Sequence, residues 1–298
     1  MRILLVGTGG QVGRELRGQL AALGDLMALD RAAADLERPA EVVALLHRER
    51  PDVIVNAAAY TAVDKAESEP ERARLVNATA VGALAETAAA LDATLVHYST
   101  DYIYDGTKPG RYVETDEPQP LSVYGRTKLE GEQAVAASGC RHWIFRTTWV
   151  YAAHGHNFVR TMLRLGRERD ELRVVDDQVG VPTSARLIAR VTADCVGRLA
   201  GGAAPATGIY HLAPHGETTW CRFARAILAG ARDRGAALRC PPERVAAIAT
   251  ADYPLPARRP ANSLLDVTKL ETALNIRLPG WQDDVAPVVA ALMAESAP

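Results

Sequence analysis

Tyr124 and Lys128 lie four positions apart in the stretch YGRTK, a spacing that brings a phenol and an ammonium onto one face if the segment is helical. The chain has nine tyrosines but only four lysines, Lys65, Lys108, Lys128 and Lys269. Random placement predicts about 0.1 pairs at this spacing, yet a second occurs, Tyr104 and Lys108 in YDGTK. An ammonium near a phenol favours the phenolate and lowers a pKa that is about 10 in free tyrosine, which suits a general acid/base near neutrality. Only a helix delivers that geometry. Tyr104 to Lys108 contains Asp105-Gly106 and runs into Pro109-Gly110, a turn signal, whereas Tyr124 to Lys128 continues into good helix formers without proline. Tyr124 and Lys128 are therefore the candidate acid/base pair. Ser99 and Thr100 end the apolar run TLVHYST, where a hydroxyl can bond a substrate carbonyl.

A second group of residues points to a nucleotide. GTGGQVG at 7–13 sets Gly7, Gly10 and Gly13 as GxxGxxG, directly after an apolar run and at the start of a helical pattern. Glycine is needed there for a tight turn, for close approach to a pyrophosphate and for helix-on-strand packing, while the helix N-terminus offers N–H donors to phosphate. Asp30 ends the next apolar run, 20 residues after Gly10, where an acid can hydrogen-bond the adenosine ribose hydroxyls. Such an acid argues for NAD, but Arg31 follows at once and could pair with a 2′-phosphate. Use of both NADH and NADPH is the expectation.

These groups need elements to hold them. Short apolar runs, candidate strands at 3–6, 26–29, 53–56, 94–98 and 143–146, alternate with helical patterns such as 12–23 and 39–48. This alternation marks an α/β protein with a Rossmann-like, doubly wound parallel sheet whose ligand crevice lies at the C-terminal strand ends. Residues 1–150 form the expected dinucleotide-binding domain, joined by strands or helices from about 170–198 and 240–255. The rest of 151–298 is expected to form a smaller α/β substrate domain, with a strand and loop in ELRVVDDQVGVPT, a helix near 186–199 and a spacer GGAAPATG.

Composition narrows the classes of partner. With 298 residues, 23% charged residues and a net charge of −2, the chain offers no basic field for nucleic acid. Four cysteines without a CxxC read as reduced structural thiols. No run of 18 apolar residues or signal-type segment occurs, so no membrane association and a cytoplasmic location are expected. HGH at 154–156 lacks an obvious third ligand and reads as a polar loop.

GxxGxxG, NAAA at 56–59, the Ser/Thr strand end and YxxxK together resemble the extended short-chain dehydrogenase/reductases. More narrowly, GQVG, NAAAYTAVDKAE, HYSTDYIYDG, VYGRTKLEGE, FRTTWVY, GVPT at 180–183 and ARRPANS are similar to the dTDP-4-dehydrorhamnose reductase family over nearly the full length. That resemblance implies reduction, by a nicotinamide hydride, of the 4-keto group of a dTDP-6-deoxy-L-hexulose, giving dTDP-L-rhamnose. Tyr124 would donate the proton, Lys128 would hold the nicotinamide ribose and lower the Tyr124 pKa, and Thr100 would position the carbonyl. Asp101 and Trp149 match positions lining the sugar. Gly10, Gln11, Val12, Asp30, Asp35, Leu36, Ala59, Tyr60 and Thr61 match positions binding NADH or NADPH. A dTDP-sugar also needs cations for its pyrophosphate, and Arg258 and Arg259 are candidates.

The same resemblance leaves rivals. A sugar-nucleotide dehydratase would need a glutamate where Thr100-Asp101-Tyr102 has none. An epimerase, a reductase acting on another nucleotide-linked 4-keto-deoxysugar, or a non-catalytic subunit of the same fold are not distinguished by fold alone. Some family members resemble magnesium-linked dimers; Glu15 matches one carboxylate, but Arg186 aligns with the second. A metal-independent monomer or weak homodimer is expected.

Overall fold

The computed structural model describes residues 1–295. Its central sheet has six parallel strands: β1 (Arg2–Val6), β2 (Asp25–Leu29), β3 (Val53–Asn56), β4 (Thr94–Thr100), β5 (Arg141–Thr147) and β6 (Gly208–His211). They lie in the order β6-β5-β4-β3-β1-β2. The chain steps from β1 outward to β2 and returns to the other side of β1 as β3, so the order reverses between β1 and β3. A crevice opens at such a switch point.

Side chains alternate across each strand, and both faces are covered. On one face Ile3, Leu5, Val53, Val55, Val96 and Phe145 pack with Leu16 and Leu20 of α1 (Gln11–Leu20). On the other, Leu4, Val6, Ile54, Leu95 and Ile144 meet Val42 and Leu46 of α2 (Pro39–Glu49) and Leu84 and Ala88 of α3 (Ala80–Ala90). Val135 of α4 (Val123–Ala137) closes that layer. Double coverage is why these strands read as unbroken apolar runs.

The second half builds onto the first face. Helices α5 (Phe158–Glu168), α6 (Ala185–Leu199), α7 (Trp220–Arg232) and α9 (Trp281–Glu295, after the short α8, Thr268–Leu274) all contribute to one apolar cluster with α1. The helix over Ala185–Leu199 packs against α1. The strands expected from 170–198 and 240–255 do not join the central sheet: Leu172–Val175 pairs with Val245–Ile248 as a separate parallel ribbon. Each has solvated positions among its buried ones, a pattern unsuited to a sheet covered on both faces. The strand that does return is β6, immediately after the spacer. All four cysteines are free and buried.

The rival pair Tyr104 and Lys108 belongs to the framework. Arg146 on β5 holds Glu132 of α4 through Nε and Nη2, at 3.0 and 2.6 Å, with both side chains at most 3% exposed. Arg146 Nη1 donates to the Tyr104 hydroxyl at 2.7 Å, which lies 2.9 Å from His211 Nε2. Burial pushes His211 down to about 3, so its ring is neutral; Nδ1–H donates to the Asp266 carbonyl and Nε2 accepts from Tyr104. Lys108 pairs with Asp116 at 2.5 Å instead. We expect Arg146→Met alone to cost about 3–5 kcal/mol, because it strands the Glu132 charge in the core. Urea denaturation checks this, and adding Glu132→Leu should recover most of the loss.

Candidate active site

Ser122 caps α4 by accepting the Gly125 N–H at 3.2 Å. Tyr124 thus lies in the first turn and Lys128 one turn on, as the spacing requires. Lys128 is 1% exposed. Its Nζ donates to the Tyr98 carbonyl at 2.6 Å and lies 3.2 Å from His97 Nε2. Asn56 assigns the His97 tautomer. Its Oδ1 accepts the Ala58 N–H at 3.1 Å, so its Nδ2 faces His97 Nδ1 at 3.2 Å. The ring hydrogen is left on Nε2, facing Lys128. Burial pushes Lys128 down to about 8 against the pull of Glu132, and a hydrogen on His97 Nε2 would oppose an ammonium in the same direction.

Tyr124 departs from expectation. Its phenol is pushed up to about 12, foremost by burial and further by Asp101, with the neighbouring Thr100 hydroxyl opposing. Lys128 does not lower it here, because the amine is committed to the Tyr98 carbonyl and His97. Sharing a helix face does not fix where a four-carbon arm points.

Thr100 ends β4, and its Oγ1 donates to Asp101 Oδ1 at 3.1 Å while accepting the Tyr102 N–H at 3.2 Å. Asp101 is 2% exposed, and burial raises its carboxyl to about 6. Ser99 Oγ and Thr147 Oγ1 are buried in the same wall with no protein partner. Trp149 lines the same cleft, in the left-handed region at φ 45° and stacked on Trp220 at 3.7 Å. A Cβ on Gly180 would lie 2.5 Å from the Trp149 ring, so the GVPT glycine is what lets the indole lie flat.

These side chains line one end of a cleft of about 950 Å³. Its other end is lined by Gly7, Gly10, Gln11, Val12, Asp35 and Leu36, with Ala59, Tyr60 and Thr61 between. Gly7 has φ +89°, and a Cβ on Gly13 would lie 2.1 Å from the Gly7 carbonyl oxygen; Gly13 serves packing and does not line the cleft. The first turn of α1 carries no acidic residue, which leaves its N–H donors suited to a pyrophosphate.

Three candidates are placed elsewhere. Asp30 is exposed, outside the cleft lining, and its Oδ1 accepts the Ala33 N–H at 3.1 Å. Arg259 is held by both Asp64 oxygens, at 3.0 and 2.7 Å, and Arg258 is exposed; neither lines the cleft. In the HGH loop His154 bonds Glu15 at 3.0 Å, and His156 reaches the cleft.

Reading the sequence missed the supports. Asn77 lies in a π-helical turn, Leu75–Thr79. Its side chain accepts the Tyr60 N–H at 2.8 Å and donates to the Tyr60 carbonyl and to Thr127 of α4. It thereby ties the loop after β3 to α4. His97 and Trp220 were missed likewise; each acts through a partner distant in sequence.

The family model described as "RmlD substrate binding domain" matches residues 1–294. A curated dTDP-4-dehydrorhamnose reductase from Burkholderia thailandensis is 47% identical, with 99% of this chain and 100% of that protein covered. The chain belongs to the dTDP-4-dehydrorhamnose reductase family. Solved dTDP-4-dehydrorhamnose reductases agree. That from Clostridium acetobutylicum superposes with a TM-score of 0.89 at 35% identity, covering 98% of this chain and 99% of the other. That from Bacillus anthracis, in complex with NADP, gives 0.88 at 30% identity, covering 99% of each. In this dTDP-4-dehydrorhamnose reductase family member, no cluster of three metal-ligating side chains occurs among the described residues. Nor is any described helix long and apolar enough to cross a membrane.

Asp101 gives the site a pH dependence. Its folded pKa of about 6 lies above the free value of 3.8, so its contribution to stability is complete below the free value and lost as pH rises through about 6. Relative to the parent, Asp101→Asn should gain up to about 3 kcal/mol between roughly pH 4 and pH 7. Urea denaturation at both pH values measures the gain; a pH-independent difference would exclude titration of Asp101 in this range.

Proposed function

We propose that the protein reduces the 4-keto group of dTDP-4-dehydro-6-deoxy-L-mannose to dTDP-L-rhamnose, using NADH or NADPH. The observation that supports this best is the convergence of Thr100, Tyr124 and Lys128 at one end of the cleft, in a chain that matches its family over 1–294. The cleft suits a nicotinamide dinucleotide: glycines leave room beside an α1 N-terminus without acids, and buried Ser99 and Thr147 hydroxyls face it unpartnered. When bound, that cofactor supplies the hydride.

The chain's own residues do the rest. Gly10, Gln11 and Val12 present the helix N-terminus to the pyrophosphate, Asp35 and Leu36 flank the adenosine end, and Ala59–Thr61 line the middle. Lys128 holds the nicotinamide ribose. Thr100, turning its hydroxyl hydrogen away from Asp101 Oδ1, donates to the substrate carbonyl and fixes its direction toward Tyr124. A phenol at about 12 is fully protonated at neutral pH. It transfers its proton to the more basic alkoxide that develops on reduction, and Lys128 stabilises the phenolate left behind only by turning its ammonium from the Tyr98 carbonyl and His97. Asp101 and Trp149 bound the sugar. The nucleotide pyrophosphate recruits Arg258, and Arg259 only by loosening it from Asp64. No metal takes part, and the protein acts as a monomer or weak dimer.

Incubation with dTDP-4-keto-6-deoxy-glucose and a 3,5-epimerase tests the reading: dTDP-L-rhamnose should form with stoichiometric oxidation of the dinucleotide. Conversion of a sugar nucleotide without net oxidation would identify an epimerase instead. Tyr124→Phe should lower kcat by about 10²–10⁴-fold, the range for losing a general acid, while dinucleotide affinity measured by nicotinamide fluorescence stays near normal. Activity should survive EDTA unchanged; loss that magnesium restores would contradict metal independence.

A further inference from the structure

At the adenosine end of the cleft, two arginines from separate elements converge on one carboxylate oxygen. Arg31, two residues past the end of β2, donates Nη2 to Glu37 Oε1 at 2.5 Å. Arg72, in the helical turn Pro70–Arg74, donates Nε and Nη2 to that same oxygen at 2.9 and 2.8 Å. Arg72 is itself held in place: Nη1 bonds Glu69 at 3.2 Å, and the guanidinium lies over the Tyr60 ring, 5.9 Å from its centroid. Arg31, Glu37, Arg72 and Tyr60 all line the cleft. Two guanidiniums aiming N–H groups at a single anionic oxygen are arranged as they would be to receive a phosphate. Here the acceptor is the protein's own side chain.

The location gives the arrangement meaning. The segment after the second strand of a dinucleotide fold faces the adenosine ribose, where an acid bonds a 2′-hydroxyl and an arginine accommodates a 2′-phosphate. The geometry points to Glu37 as the residue that sets dinucleotide choice: it occupies Arg31 and Arg72, withdrawing the cations a 2′-phosphate needs, and so favours NADH over NADPH. Asp35, 3.5 Å from Arg31 Nε, adds to the same bias. Neutralising Glu37 releases both guanidiniums, and Tyr60 and Glu69 keep Arg72 where it stands. This inference rests on the reading of the cleft as a nicotinamide dinucleotide site.

Dissociation constants for NADH and NADPH, from nicotinamide fluorescence on the full-length protein, test it. The parent protein should bind NADH more tightly. Glu37→Gln should tighten NADPH by about tenfold while NADH changes by less than about threefold, the size expected for freed charge-assisted contacts at a partly exposed site. Glu37→Ser serves as a second variant with the same expectation. Adding Arg72→Leu to Glu37→Gln should remove most of the gain, and added salt should erode NADPH affinity in the Gln variant more than NADH affinity. A ratio of the two constants unchanged within about twofold in both Glu37 variants overturns the assignment, as does a gain that survives Arg72→Leu. If the parent protein bound neither dinucleotide, the reading of the cleft itself would fall.

Discussion

Lys128 crosses from α4 to the Tyr98 carbonyl at 2.6 Å, and the register of α4 against β4 depends on that contact. One turn further along the same helix, Glu132 is clamped by Arg146 of β5. The two contacts fix the helix to adjacent strands at separate points, so α4 cannot slide by a residue without leaving both a buried amine and a buried carboxylate unpartnered. Tyr124 is therefore set opposite the end of β4 by groups other than itself. Asn77 adds a third tie, through Thr127, that brings the loop after β3 into the same assembly.

The aromatic part of the cleft lining is fixed by packing. Trp149 holds a left-handed backbone conformation that a bulky residue adopts only at a cost, and its ring is confined between Trp220 and the backbone at Gly180. Residues from three separate stretches of chain therefore determine one aromatic surface. The two walls differ in kind. One is positioned by buried polar contacts and the other by close aromatic contact, and both line the cleft.

Much of this was legible in the sequence for identifiable physical reasons. The first five strands stand out because coverage on both faces makes them apolar throughout, and the glycine loop because a Cβ on Gly13 would meet the Gly7 carbonyl. Tyr124 and Lys128 could be chosen over Tyr104 and Lys108 because only one segment can be helical. What escaped was tertiary. β6 reads GIYH and begins on the last glycine of the spacer, so no apolar run marks it. Arg259 was taken up by Asp64, 195 residues away. The shift in Tyr124 depends on burial and on the direction of the Lys128 arm, neither of which an i, i+4 spacing encodes.

The strands that carry the two ends of the cleft differ in burial. β4, which ends at Thr100, is buried at all seven positions, whereas β2, which leads to Arg31 and Asp35, is the edge strand and has no fully buried residue. Substitutions after β2 can therefore exchange charges at the rim without disturbing the core, and substitutions at the end of β4 cannot. A lineage built on this scaffold can vary the charge at one end of the cleft by surface changes alone, while the other end stays fixed by the interior.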